Sequence, residues 1–282
     1  MCNRDRRVLW FLGSTVQMLG SRKELDVNGF RNLYKVFRET RRATRERATL
    51  AVLGDSPEAA RIAEATGAQR DMRGAEIILE VDAPGDSVRL TGKGVEDVGD
   101  LELGPTDEGS LRDDLAPRIV KALEEEYLVP LAKGYPFFRR AVCDEIIRNN
   151  ARQNAVIGAL PVPGADMPVM TANQGRMVLL IAAAYGEELS FQRARELLGV
   201  LAAGIGLRAL ARQVLKFIPI GGWAASAALG YAGTLAMGRA TVLYFERGHQ
   251  KVGAEEMERI RERAAREARG FVERMRERRR GK

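Results

Sequence analysis

Between residues 49 and 103 the apolar residues come in short runs bounded by glycines, prolines and acids. From about residue 111 to the C-terminus longer amphipathic and apolar stretches follow one another, divided by proline, glycine and serine breaks. The first pattern predicts strands and the second helices. Residues 49–54 (TLAVLG) and 75–81 (AEIILEV) read as buried strands, with weaker strands at 88–90 and 98–103. Between the first two, residues 57–66 read as a helix, with Ser56 as N-cap and Pro57 at the first helical position. A strand, a helix and a further strand in this order predict a small α/β unit of the doubly wound type.

The helical part breaks where its punctuation falls. Residues 111–131 form a charged amphipathic helix, and residues 137–160 form a long one stopped by Pro161-Val162-Pro163-Gly164. Asp166 starts the next, which runs to Gly186, and Ser190 caps another that ends near Ile218. Residues 222–246 follow. A last helix from about Ala254 sets Met257, Ile260, Ala264, Ala268, Phe271 and Met275 at helical spacing in a strongly charged sequence. Ahead of the α/β unit, residues 8–20 predict a short helix and residues 28–37 a second, with Phe30, Leu33, Tyr34 and Phe37 on one face. The first is not a signal peptide, because Ser14, Thr15 and Gln17 dilute it and no small-x-small site precedes Arg22-Lys23.

The expected fold is therefore α+β and predominantly α: a small doubly wound α/β remnant, then an apolar helical bundle with a long C-terminal helix. Four segments are expected. They are N-terminal helices at 1–48, an α/β domain at 49–110, an apolar helical domain at 111–250 and a charged amphipathic helix at 251–282.

Composition sharpens this picture. Hydrophobic residues make up 45% of the chain and aromatics only 6%. Alanine, glycine, leucine and valine supply the apolar mass, which suits closely packed helices. The net charge of +7 is unevenly spread: residues 1–48 carry +7, 49–130 carry −11, 131–250 carry +6 and 251–282 carry +5. An acidic middle between basic flanks fits an anionic surface, or attraction between the chain's own segments.

Residues 217–238 hold no charged side chain. As a helix they would span about 33 Å, the thickness of a bilayer's hydrocarbon core. Within them Gly222, Ser226, Gly230, Thr234 and Gly238 recur every fourth residue, a small-residue seam that lets helix backbones approach closely. In the preceding helix Arg208, Arg212 and Lys216 line one face, which suits an interfacial position against anionic headgroups. Enclosure of the apolar helix in a bundle, without a membrane, explains its alanine-rich composition equally directly. The two environments differ in forecast: in lipid, leucine at Gly230 damages and leucine at Ala228 does not, whereas in a protein core both do.

Chemistry-bearing motifs are sparse. Gly54-Asp55-Ser56-Pro57 stands where a phosphate loop would lie, and Asp82-Ala83-Pro84-Gly85 matches a D-x-x-G turn. The G-x-x-x-x-G-K-[ST] cradle and its lysine are absent, so the unit reads as a degenerate phosphate-loop fold without hydrolysis. Asp55 and Glu58 put carboxylates at the helix N-terminus, where the dipole favours anions. Asp166 reads as a structural cap. His249 reads as a solvated loop residue, and Cys2 and Cys143 form no ligand spacing, so no catalytic, metal or cofactor residue is assigned. Arginines alternate with Glu256, Glu258, Glu262, Glu267, Glu273 and Glu277 in the last helix. That is the look of a salt-bridged solvated face, and nucleic acid is not expected as a partner.

Four blocks, in order, carry a family resemblance: Ala159 to Asp166 (ALPVPGAD), Gln174-Gly175-Arg176-Met177 with Ala184-Tyr185-Gly186, Lys216 to Gly222 (KFIPIGG), and Thr234 to Ala240 (TLAMGRA) with Tyr244-Phe245. They resemble a bacterial family of unknown function. Its members include YcjF-type inner-membrane proteins and domains fused to, or encoded beside, Era-like GTPases. The resemblance implies membrane association and a GTPase-linked setting, and carries over no catalytic residue.

The expectation is a non-catalytic, membrane-associated helical protein at the inner membrane, with its α/β domain in the cytosol. Its expected partners are anionic lipid headgroups, a GTPase protein and a second copy of itself. The alternative is a soluble cytoplasmic scaffold or adaptor with a buried glycine- and alanine-rich helical core.

Overall fold

A computed structural model of the chain describes residues 47–159, 166–187 and 222–280, with 197, 199, 205, 206, 210, 211 and 214. The first element is β1 (Leu50–Leu53), followed by α1 (Pro57–Thr66). The Ser56 hydroxyl accepts the Ala59 amide at 3.2 Å. Pro57 occupies the first turn, and Gly67, at φ 74°, closes the helix by donating its amide to the Ala63 carbonyl at 2.9 Å.

Then come β2 (Ile77–Val81), β3 (Ser87–Gly92) and β4 (Asp100–Glu102), in a sheet of order β1-β2-β3-β4. β1 and β2 run parallel across the α1 crossover; β2, β3 and β4 form an antiparallel meander. The fold is α+β and predominantly α, but the sheet is not doubly wound. A tight turn after β2 reverses the chain, so only the first pair is parallel. Register places Leu79 opposite Leu90 and Val81 opposite Val88 on the core side. One residue along, Glu80, Arg89 and Asp100 line up across three strands on the exposed side.

The single amphipathic helix expected over residues 111–131 is interrupted. A π-helical turn at Leu111–Leu115 leads into α2 (Ala116–Ala122), and α3 (Glu125–Gly134) begins only after Leu123, which is extended at φ −91°, ψ 146°. Leu123 bridges to Val95, the Glu96 amide donates to Ala122 O and the Glu124 amide to Gly94 O, both at 2.7 Å. Hydrogen bonds to a distant segment outcompete a continuous helix, although the 3.6-residue periodicity persists through the break.

A 3₁₀ turn at Pro136–Phe138 precedes α4 (Arg139–Ala159), which is followed by α5 (Asp166–Ala184), α6 (Trp223–Glu246) and α7 (Ala254–Arg280). The described residues fall into two compact units. One holds 47–148 with 179–187, and the other holds 149–178 and the described positions from 197 onward. Within the first, Leu50, Val52, Ile62, Ile77, Leu79 and Val88 are fully buried, and the Tyr135 hydroxyl accepts the Leu50 amide on the outer side of β1 at 2.7 Å. Within the second, α6 and α7 pack against each other along their length. Tyr231 and Phe271 stack with ring centroids 4.4 Å apart, and Arg239 pairs with Glu267 at 2.7 Å.

Candidate functional site

Two places deserve the name of candidate site, and each lies inside one unit. The first is the N-terminal end of α1, where β1 and β2 finish. Gly54 takes φ 126° there, and a Cβ on it would lie 2.6 Å from the Val81 carbonyl oxygen, so the loop after β1 is pressed against the end of β2. A shallow open groove of about 590 Å³ runs beside it, lined by Glu58, Arg61, Pro84, Gly85, Asp86 and the stretch 103–107. This is the position at which an α/β fold of this kind would hold a phosphate.

Its chemistry points away from anions. The Glu58 carboxylate lies over Gly85, so close that a Cβ on Gly85 would be 2.6 Å from Glu58 Oε2. Of the cations beside it, Arg61 is shared between Glu58 at 3.4 Å and the Thr106 hydroxyl at 2.9 Å, and Arg70 donates to the Gly54 carbonyl. Asp82, the acid of the D-x-x-G turn, is spent on the β2–β3 turn. It accepts the Asp86 amide at 2.8 Å, the Ser87 amide at 3.1 Å and the Ser87 hydroxyl at 3.0 Å. The Ser87 amide, with the Ser87 hydroxyl and the neighbouring amides, holds this carboxyl below the usual carboxylate range. Asp107 likewise caps the turn at Ser110 and is held low chiefly by the Ser110 hydroxyl. Among the described residues no group of histidines, cysteines and carboxylates could hold a metal ion.

The second place is the crossing of α4, α5 and α6. An ideal Cβ on Gly230 would stand 2.7 Å from the Asn154 carbonyl oxygen and 2.8 Å from Met170 Cε. One on Gly158 would stand 2.8 Å from the Ser226 carbonyl oxygen. Two glycines, one on each helix, thus let the antiparallel backbones of α4 and α6 touch. Beside this contact lies a layer of polar side chains, buried at Asn154, Asn173 and Thr234 and half-buried at Gln174. Asn154 Nδ2 donates to the Thr234 hydroxyl at 2.8 Å, Asn173 Nδ2 to Asn154 Oδ1 at 2.9 Å, and Gln174 Nε2 to the Thr234 hydroxyl at 3.3 Å. The Thr234 hydroxyl in turn donates to the Gly230 carbonyl at 2.8 Å, so its one proton and both lone pairs are engaged.

Of the seam residues named from sequence, Gly230, Thr234 and Gly238 are buried. The Ser226 backbone meets Gly158, and Gly222 is exposed as the N-cap of α6 at φ 81°, with nothing among the described residues near its Cβ position. Arg208, Arg212 and Lys216 lie outside the described residues. Asp166 is the first residue of α5, and its side chain is outside them too. Sequence reasoning passed over Asn154, Asn173 and Gly158. The available signal was a set of carboxamides, Asn150, Asn154 and Asn173, at helical positions otherwise filled by apolar residues.

The bilayer-span reading of residues 217–238 does not survive for the part that is described. No helix among the described residues is long and apolar enough to cross a membrane. α6 carries Arg239 and Glu246 within its length, and its alanines and glycines add little hydropathy per residue. Its surroundings are protein. Most of its residues are buried, on every side of the helix, and Ala228, on which a lipid-facing surface was conditional, is completely enclosed.

Residues 137–270 match the family model of DUF697, a domain of unknown function. The match takes in α4, α5, α6 and most of α7, so both glycine contacts and the whole polar layer lie inside the DUF697 region. The sheet and α1 lie outside it. Neither the curated proteins nor the solved structures contain a match to this chain.

Proposed function

We propose that this chain is a non-catalytic helical scaffold, in which the DUF697 region is a rigid packed core and the acidic α/β unit is the surface offered to a protein partner. The observation that carries this reading is the placement of Gly230 against Asn154, with most of α6 buried. The small residues that a membrane helix would spend on pairing with another helix in lipid are spent inside the chain itself. The groove at α1 supports the same reading, because Glu58 places a carboxylate where a nucleotide phosphate would sit.

The partner's chemistry follows from the charge. Residues 49–130 carry −11, and Glu80 and Glu102 lie exposed on one side of the sheet beside the Arg89–Asp100 pair, so a basic protein surface fits this unit. A GTPase partner enters the proposal only through the sequence resemblance. Cell fractionation tests the scaffold reading: a high-salt or carbonate wash should strip the chain from any membrane fraction it accompanies. Retention through both washes would overturn it in favour of an inserted protein.

A further inference from the structure

The two edges of the sheet end differently. Outside β1, Gln69 donates its amide to Leu50 O at 3.1 Å and accepts the Val52 amide at 2.9 Å, and the Tyr135 hydroxyl takes the Leu50 amide. That edge is closed by the chain's own residues. The edge at β4 is open. The Leu103 amide donates to Asp86 O at 2.7 Å, and alternate residues of an antiparallel strand turn their backbone groups to the partner. Leu101 and Leu103 therefore face β3, and the N–H and C=O groups of Asp100 and Glu102 face outward. Among the described residues none hydrogen-bonds these outward groups, and both residues are exposed.

An open edge is a template for another strand, and native sheets guard it by shortness or by charge. Here the charge has one sign. Between Lys93 and Arg112 the chain carries Glu96, Asp97, Asp100, Glu102, Asp107 and Glu108 and no base. Two copies meeting edge to edge at β4 would set these acids against each other, which is unfavourable. The same acids attract a basic strand. Asp100 is already held by Arg89 at 2.7 Å, whereas the carboxylate of Glu102, on the same face, has no partner among the described residues. Leu101, between them, pairs with Val88 on the core side and is half-buried.

We propose that the β4 edge takes an extended segment of a partner protein as a fifth strand, with lysine or arginine opposite Glu102 and an apolar residue opposite Leu101. Backbone hydrogen bonds supply the attachment, and Glu102 and Leu101 choose the sequence. This strand addition rests on the reading of the unit as a surface for a basic partner, and gives that surface a place and a pattern.

The test uses the full chain and two peptides of identical composition, one alternating lysine with valine and the other carrying them in two blocks. The alternating peptide should bind at least about tenfold more tightly, because a strand then presents all its bases on one face. At saturation the Asp100 and Glu102 amides should exchange with solvent at least about tenfold more slowly, while the Leu101 amide, already turned to β3, changes little. Glu102→Lys alters an exposed side chain and keeps the fold. It should weaken the alternating lysine peptide by about tenfold or more, and favour an alternating glutamate–valine peptide in its place. Binding without slower exchange at Asp100 and Glu102 overturns the edge site and leaves the basic-partner reading standing, since side chains elsewhere would then make the contact. Equal binding of the two peptides, or of the parent and Glu102→Lys, does the same. Binding of neither peptide overturns both. Slow exchange at these amides in the chain alone, quickening on dilution, would make a second copy the occupant and overturns the proposal as well.

Discussion

Gly230 and Asn154 meet backbone to side-chain position: a methyl group on the first would stand 2.7 Å from the carbonyl oxygen of the second. This contact sets the distance between α4 and α6. Gly230→Ala should therefore destabilise the protein by about 1–3 kcal/mol, as overpacking of a closed site, measured by denaturant unfolding. Gly233, one turn-face away, has among the described residues only Leu210 Cδ2 at 3.8 Å from its Cβ position. Gly233→Ala should be neutral, or stabilising by up to about 1 kcal/mol through helix propensity. Leucine at Ala228, which is fully buried, should destabilise as well. Equal tolerance at 228, 230 and 233 would show that α6 is not enclosed.

The outer side of β1 depends on one hydroxyl. The Tyr135 hydroxyl accepts the amide of Leu50, a residue 0% exposed. Tyr135→Phe keeps the ring and leaves that amide without an acceptor, which should cost about 1–3 kcal/mol. Hydrogen exchange at Leu50 should quicken more than at Val52, whose amide keeps its bond to Gln69 O. Uniform exchange across β1 would rule the tie out.

Acid should loosen the sheet unit in a defined direction. Asp82, Asp100 and Asp107 are all held below the ordinary carboxylate value: by the Ser87 amide, the Arg89 guanidinium and the Ser110 hydroxyl respectively. A folded-state pKa below the unfolded one contributes stability that is present above the unfolded value, about 3.9. That contribution is lost as pH falls through the lower, folded value. Carboxyl titration by NMR should find all three midpoints below that of an unfolded peptide, and Asp82→Asn should flatten the acid limb of the stability curve. A midpoint for Asp82 at or above the peptide value would contradict the turn geometry.

Between α6 and α7 the ring stack should matter more than the ion pair. Phe271→Leu removes the stacking partner of Tyr231 and should cost about 0.5–1.5 kcal/mol beyond the lost burial. Arg239→Ala breaks a pair whose side chains are 22% and 44% exposed, and should cost less than about 1 kcal/mol and depend on salt. The reverse order of effects, measured by thermal unfolding in low and high salt, would assign the hairpin to electrostatics.

With magnesium, the purified chain should turn over neither GTP nor ATP above background. The Glu58 carboxylate stands at the α1 N-terminus, and Asp82 is occupied by the β2–β3 turn. Turnover that survives repurification and is lost in Asp82→Ala would reverse this assignment.

Local pattern was enough to place many elements. The apolar runs that become β1 and β2, the Ser56 cap and Pro57 start of α1, the stop after α4 and the 3-4 spacing of α7 all depend on neighbouring residues, whose spacing is written directly in the chain. The missing phosphate-loop lysine was equally legible. The break at Leu123 was not, because the residues that cause it are Gly94 to Glu96, far away in sequence, and the helical period runs through it unmarked. Nor could residues 217–238 reveal their solvent: an alanine- and glycine-rich run is apolar enough for lipid and small enough for a protein core. Only the tertiary structure shows that Ala228 is fully buried and that Gly230 packs on the Asn154 backbone within the chain. The polar layer joins Asn154 to Thr234 across 80 residues of sequence. Each residue alone looks like an ordinary helical position, and the bond that gives them meaning exists only once three helices have met.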